Sequence, residues 1–239
     1  MASFTQTRRA ERMIYNPEDT ILDDRTYNMA LGGSVMYGLI LNIVMCLTLG
    51  KTLTDTMEAN PIYAIYLFVG YIVCSIVGVL MSSKSKSPVI SFIGYNLVVV
   101  PIGLVLSLMI NAYIQGGAGD IVVQAIVYTA VITGCMIVLS IAFPNFFSGL
   151  GKLLLGCLIG LIIAGLLSMF LFPGAYNIIT WAGAVIFALY IGYDYWRAQQ
   201  FPKTLDNAID CSLDIYLDII NLFIRILRIL GSKGGSRRR

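Results

Sequence analysis

Apolar residues run along this chain in blocks of about twenty, separated by short polar or breaker-rich links. The blocks fall at roughly 29–50, 61–83, 88–112, 121–143, 150–172, 176–196 and 208–230. At 1.5 Å of rise per residue, each has the length a helix needs to cross a hydrocarbon core of about 30 Å. The links carry residues that interrupt helices: Asn60-Pro61, SSKSKSP at 82–88, QGGAGD at 115–120, FPN at 143–145 and FPG at 172–174. The pattern predicts an all-α integral membrane protein, a seven-helix transmembrane bundle whose last helix is central and polar on one face. Residues 1–28 form a polar cytosolic arm with a short amphipathic helix, 29–231 the membrane domain and 232–239 a basic tail.

The last block differs from the other six. At 100° per residue, Asp210, Asp214, Asp218, Asn221 and Arg225 fall within an arc of roughly 80° on an otherwise apolar helix. Asp218 is near the middle of that block, and Asp194 closes the block before it. A carboxylate at such depth costs roughly 2.5–3.5 kcal/mol on insertion scales, so an acidic residue kept there points to function. Asp206 and Asp210 are expected near the interface, paired with Lys or Arg; Asp214 is intermediate on the same seam. Asp194 and Asp218 carry the functional expectation. If both helices stand upright about a turn near Pro202-Lys203, their depths differ by roughly 7 Å, which tilt or a displaced turn absorbs.

Other features have structural readings. Gly32, Gly33, Ser34 and Gly38, and the Gly156/Gly160 pair with Gly165, are expected where helices approach closely. Pro101 is expected to bend its helix, and Asp120 to cap the helix that follows it.

Composition narrows the class. The chain is 58% hydrophobic and 12% charged, with mean hydropathy +0.82, whereas soluble domains are about 25% charged. Histidine is absent, which removes the usual acid–base residue and any Ser-His-Asp triad. The five cysteines lie in apolar runs without CxxC spacing and read as packing residues. No apolar core follows the basic start directly, so no cleavable signal peptide is expected. The net charge of +3 comes from Lys and Arg between or beyond the spans, a pattern of membrane orientation that excludes nucleic acid as the expected partner. A cytosolic N-terminus collects Arg8, Arg9, Arg12, Arg25, Lys84, Lys86, Lys152, Arg197 and Lys203 on its side, and leaves Lys51 for the opposite loops. The positive-inside rule therefore favours it, although seven crossings would put the basic tail outside.

ALYIGYDYWRAQ followed by SLDIYLDIINLFIRILRILG resembles the C-terminal signature of the Bax inhibitor-1 (transmembrane Bax inhibitor motif) family, in which YD ends the sixth helix and LYLDxINLF lies in the seventh. SPVISFIGYNLVVVPIGLVLS and the seven-span layout agree. The resemblance implies a bacterial-type, pH-sensitive calcium-leak channel in the cell membrane, with Asp194 and Asp218 as the proton-sensing pair. It implies Ca²⁺ as the permeating ion, with no cofactor and no enzymatic activity. In family members with a proposed latch, a basic residue of the second helix bridges the aspartates; this chain has no Arg between Arg25 and Arg197. Lys84 and Lys86 are the nearest candidates from the second span, with Arg197 or Arg225 as substitutes, and Lys lacks the two-pronged contact of Arg.

Two carboxylates in one low-dielectric site titrate as a coupled pair. Protonation would remove a bridging tie, and deprotonation would give a divalent ion its ligands. Two Asp side chains offer at most four oxygens against the six to eight that Ca²⁺ prefers, so the pair would serve as a transit site. A second reading is a non-conducting membrane regulator that binds a membrane protease or another membrane protein. A third, an intramembrane aspartyl enzyme, lacks its GxGD partner motif, since Gly192-Tyr193-Asp194 is only GYD.

Overall fold

In a computed structural model, residues 20–170 and 173–235 are described. They form eight α-helices and no strand: α1 (Asp24–Ala59), α2 (Ile62–Lys84), α3 (Pro88–Gln115), α4 (Gly119–Ala142), α5 (Pro144–Gly149), α6 (Gly151–Phe170), α7 (Tyr176–Ala198) and α8 (Leu205–Gly235). The predicted amphipathic helix of the N-terminal arm and the last residues of the basic tail lie outside the described residues. Six helices, α1–α4, α6 and α7, are long and apolar enough to cross a membrane. The protein is a multi-pass, all-helical integral membrane protein. The expected seventh span corresponds to α8, which is not among those six because its charged residues break up its apolar stretches. The eighth helix is α5, a six-residue segment in the link where only FPN had suggested a break.

The helices divide into two units. The first contains α1, α2, α3 and residues Gln200–Leu213; the second contains Gly116–Gln199 and α8 from Asp214 onward. Helix α8 passes from one to the other without interruption.

In the first unit, Asp23 caps α1 by accepting from the backbone N–H groups of Arg25 and Thr26, at 3.1 and 3.2 Å. Those bonds, led by the Thr26 hydroxyl, hold its carboxyl below the usual carboxylate range. Helices α1 and α3 run parallel, as the steady offset of their contacts requires: Tyr37 Oη donates to Asn96, Asn42 Nδ2 to the Val99 carbonyl, and Asn111 Nδ2 to Thr54. Helix α2 returns antiparallel to α3. A Cβ at Gly78 would lie 2.5 Å from the Gly94 carbonyl oxygen, and one at Gly94 2.6 Å from that of Gly78. These backbones meet only because both residues are glycine. Pro101 lies inside α3 without ending it.

The glycines expected to mark close approach behave differently. Gly32, Gly33, Gly156, Gly160 and Gly165 have nothing within 4 Å of an added Cβ. Spacing of small residues identifies a face that can be approached, but an approaching helix must also be present. Asp120 falls in the first turn of α4 instead of capping it, where its charge favours the helix dipole.

In the second unit, α4, α5 and α6 pack against α7. A buried cluster of Phe147, Leu150, Leu154 and Tyr193 joins α5, α6 and α7, with Met136, Leu189, Tyr190 and Trp196 around it. Two glycines make room for it. A Cβ at Gly151 would lie 2.5 Å from Tyr193 Oη, and one at Gly192 would sit on the Phe147 ring, 2.7 Å from Cζ.

Candidate functional site

The GYDYWR end of α7 is where packing becomes electrostatics. Gly192 admits Phe147, which fixes the helix against α5. Tyr193 enters the apolar cluster, and the Arg197 guanidinium lies over its ring at 5.6 Å. Asp194 then points into the unit with its side chain 7% exposed.

Arg197 follows Asp194 by three residues, on the same helix face. Its Nη2 lies 3.1 Å from Asp194 Oδ1 and 2.6 Å from Asp214 Oδ2. One guanidinium therefore ties α7 to α8 and bridges two carboxylates. Asp218, one turn beyond Asp214, is buried, with Oδ2 making no hydrogen bond among the described residues. It lies beside Asp194, and the two carboxyls line one cavity.

The register explains how Asp194 and Asp218 meet. Asp194 lies four residues before the end of α7, whereas Asp218 lies thirteen residues after the start of α8. The difference amounts to roughly 14 Å of helix rise. Six linking residues, 199–204, can extend up to roughly 20 Å and take up that offset. Asn207 Nδ2 donates to the Pro202 carbonyl, and Thr204 caps the start of α8 by accepting from the Asn207 N–H.

A cavity of about 380 Å³ opens beside the cluster. Its polar lining is Tyr190, Asp194, Asp214, Asp218, Asn221 and Arg225; Leu158, Leu161, Ile162, Phe187 and Leu217 supply apolar walls. The polar positions follow helical spacing on both elements: Tyr190 and Asp194 on α7, and Asp214, Asp218, Asn221 and Arg225 on α8. Arg225 fits a notch in α7 at Gly183, where a Cβ would lie 2.9 Å from its Nε.

Thus Asp194, Asp214, Asp218, Asn221, Arg197 and Arg225 belong to one site in the second unit. Asp210 belongs to the first unit, where it is buried and accepts from the Ser82 hydroxyl. Asp206 there accepts from Ser91 at 2.7 Å. Lys84 and Lys86 also belong to the first unit, Lys84 as the last residue of α2 and Lys86 in the link before α3. Both aspartates thus accept from serine hydroxyls, donors that the expectation of Lys or Arg partners did not include. Tyr190 and Gly183 were not singled out in the sequence, although Tyr190 precedes Asp194 by four residues and so shares its face. Among the described residues, no group of three or more Cys, Asp or Glu side chains is arranged to hold a metal ion.

Six apolar helices and a carboxylate–guanidinium cluster between the last two helices define a multi-pass membrane protein with a charged site between those helices. The model of the family described as Inhibitor of apoptosis-promoting Bax1 matches residues 22–235, and the chain belongs to that family. Its relatives include a Helicobacter pylori (strain J99) protein, 32% identical over 154 residues, which cover 64% of this chain and 65% of that protein. The match thus spans slightly less than two thirds of that relative's length. A membrane protein of Streptococcus pyogenes serotype M3 is 31% identical over 136 residues, or 54% of this chain and 58% of that one. The Escherichia coli K12 inner membrane protein YbhL is 25% identical over 231 residues, covering 90% of this chain and 97% of YbhL.

Proposed function

We propose that the protein is a pH-sensitive calcium-leak channel of the bacterial cell membrane, gated at the Asp194/Asp218 pair. The observation that carries this reading is the placement of Arg197 between Asp194 and Asp214, at the edge of the cavity that Asp218 lines. In this reading α8 is the seventh span and the N-terminus is cytosolic. The inner membrane location in YbhL's name supports the membrane assigned.

Arg197 ties α7 to α8 while Asp194 and Asp214 are ionised. Loss of the negative charge at Asp214 removes the arm that joins α7 to α8, while its loss at Asp194 frees Arg197 within α7. Asp218, outside the bridge, keeps an oxygen directed at the cavity and acts as the first ligand for a passing divalent ion. Asn221 and water add neutral oxygens, so the ion is held weakly enough to leave. Arg197 takes the latch role here, and it does so from α7 instead of the second helix.

The test is calcium flux into liposomes holding the purified full-length protein, measured against pH. Wild-type flux should depend on pH, and Asp194→Asn and Asp218→Asn should each flatten the profile. An unchanged profile in both variants would remove the basis for the reading.

A second reading, a regulator that docks another membrane protein, has one observation in its favour. Gly156 and Gly160 leave an open small-residue face on α6, the kind of surface a partner helix approaches closely. Under that reading, Gly156→Ile and Gly160→Ile would release a co-purifying partner and the protein alone would pass no calcium.

A further inference from the structure

The cavity beside the aspartates also contains a second arginine, with a different environment from the first. Arg197 is bound to two carboxylates, whereas among the described residues no carboxylate pairs with Arg225. Its charged neighbour is Arg228, itself 6.0 Å over the Tyr176 ring. Helix α7 provides the space for the guanidinium at Gly183, where a Cβ would lie 2.9 Å from Nε and 3.0 Å from Cζ. Asp218 and Arg225 are seven residues apart on α8, two turns along the same face, and both line the cavity. The space therefore has an anionic end, a neutral amide at Asn221, and an uncompensated cation.

We propose that Arg225 is an electrostatic barrier in the cation path, limiting how strongly a divalent ion occupies the Asp218 end of the cavity. The inference rests on the channel reading for its role in flux, but its effect on ion occupancy stands separately. A fixed positive charge repels an ion in proportion to the ion's charge, so it holds back Ca²⁺ more than K⁺. Side chains on a helix lean toward its N-terminus, which directs Arg225 back toward Asn221 and Asp218. The Gly183 notch keeps the guanidinium beside α7 and inside the cavity wall, so it repels an ion without filling the space the ion needs.

The experiment has two arms on the purified full-length protein. In the first, Tb³⁺ is titrated in detergent, with luminescence sensitised by tyrosine, Tyr190 being the one that lines the cavity. Arg225→Gln should bind Tb³⁺ about tenfold more tightly than wild type. Arg225→Lys should stay within about twofold of wild type, because the charge remains. Asp218→Asn should weaken binding in either background. In the second arm, liposome assays compare calcium with potassium flux, and Arg225→Gln should raise the calcium-to-potassium ratio several-fold. Unchanged Tb³⁺ affinity in Arg225→Gln, with Asp218→Asn still weakening it, overturns the barrier alone. Calcium-tight wild-type liposomes overturn the channel reading, while the terbium arm still decides whether Arg225 controls the cavity. Arg225→Lys behaving like Arg225→Gln would mean that shape, not charge, matters and would also overturn the proposal.

Discussion

Replacing Arg197 should cost more stability than removing either carboxylate it bridges. At an effective dielectric of about 20, unit charges at the 3.1 Å separation of Arg197 and Asp194 attract by roughly 5 kcal/mol before desolvation is counted. Burial of Asp194 offsets much of that gain, so the net contribution of the pair is far smaller. The loss of one partner is a different matter: a buried charge left behind typically costs about 3–5 kcal/mol. Arg197→Gln strands the buried Asp194 and leaves Asp214 and Asp218 near it with less compensation. Asp194→Asn strands nothing buried, since Arg197 keeps Asp214 at 2.6 Å and part of its side chain reaches solvent. It also removes a negative charge beside Asp218. The Asp214 side chain is 33% exposed, so its arm is worth only about 1 kcal/mol after screening. The expected order of destabilisation is therefore Arg197→Gln, at about 3 kcal/mol, well above Asp214→Asn and Asp194→Asn. The double variant Arg197→Gln/Asp194→Asn should be more stable than Arg197→Gln alone, a non-additivity that identifies the pair. Thermal denaturation in one detergent at neutral pH ranks the four proteins. If adding Asp194→Asn to Arg197→Gln lowers the transition further, the bridge is not what the two residues share.

Other substitutions test the packing that positions the site. Gly94→Ala places a Cβ 2.6 Å from the Gly78 carbonyl oxygen and 2.8 Å from the Ser82 nitrogen; neither backbone atom can rotate away, so a loss of about 3 kcal/mol is expected in the same denaturation assay. Gly32→Ala, with open space around it, should be neutral or slightly stabilising through helix propensity. Gly192→Ala should cost about 1–3 kcal/mol by displacing Phe147, and Phe147→Leu should recover part of it. Asp23 is ionised more readily in the folded chain than in the unfolded one. Its cap should therefore stabilise α1 at neutral pH and be lost as pH falls through the lowered carboxylate range. The protection factors of the Arg25 and Thr26 amides, with the intrinsic pH dependence of exchange divided out, should fall on acidification, and Asp23→Ala should show that lower protection already at neutral pH.

The apolar blocks were legible because lipid leaves a helix few alternatives: every backbone polar group must be satisfied within the segment. Six of the described helices meet the length and composition that crossing requires, and their limits fall near the Pro, Gly and Ser links. Three features were not legible, each for a physical reason. Helix α5 is too short to generate a periodic signal, and the tertiary contact of its Phe147 with Gly192 is not visible in its own six residues. The glycine-on-glycine crossing lies at Gly78 and Gly94, while of the spaced small residues Gly38 is buried and Gly32, Gly33, Gly156, Gly160 and Gly165 stand in open space, because spacing describes one helix and crossing requires two. The depth offset between Asp194 and Asp218 could be seen as a problem but not resolved, since it depends on a six-residue link whose extension no local propensity sets.

The latch cation shows where local reasoning carries furthest. Looking for an arginine in the second span directs attention to Lys84 and Lys86, residues chosen by analogy of position. The chain's own spacing offers Arg197 as a candidate besides them. An arginine three residues after an aspartate shares its helix face, and at the end of α7 that face is the one packed on Tyr193. Once α8 lies alongside, the next carboxylate within reach of Arg197 is Asp214, four residues before Asp218 and on the same stripe. Under the channel reading, the consequence is a different control of the gate. A cation reaching in from another helix could be withdrawn as that helix moves, whereas Arg197 is anchored on the same helix as Asp194. What can change is its hold on Asp214, so in that reading α8 is the element released when the hold is lost. Cross-linking α7 to α8 by a cysteine pair at the Arg197 level should therefore abolish the pH dependence of flux while leaving the aspartates intact. A locked protein that still responds to pH would mean that motion of α8 is not the gate.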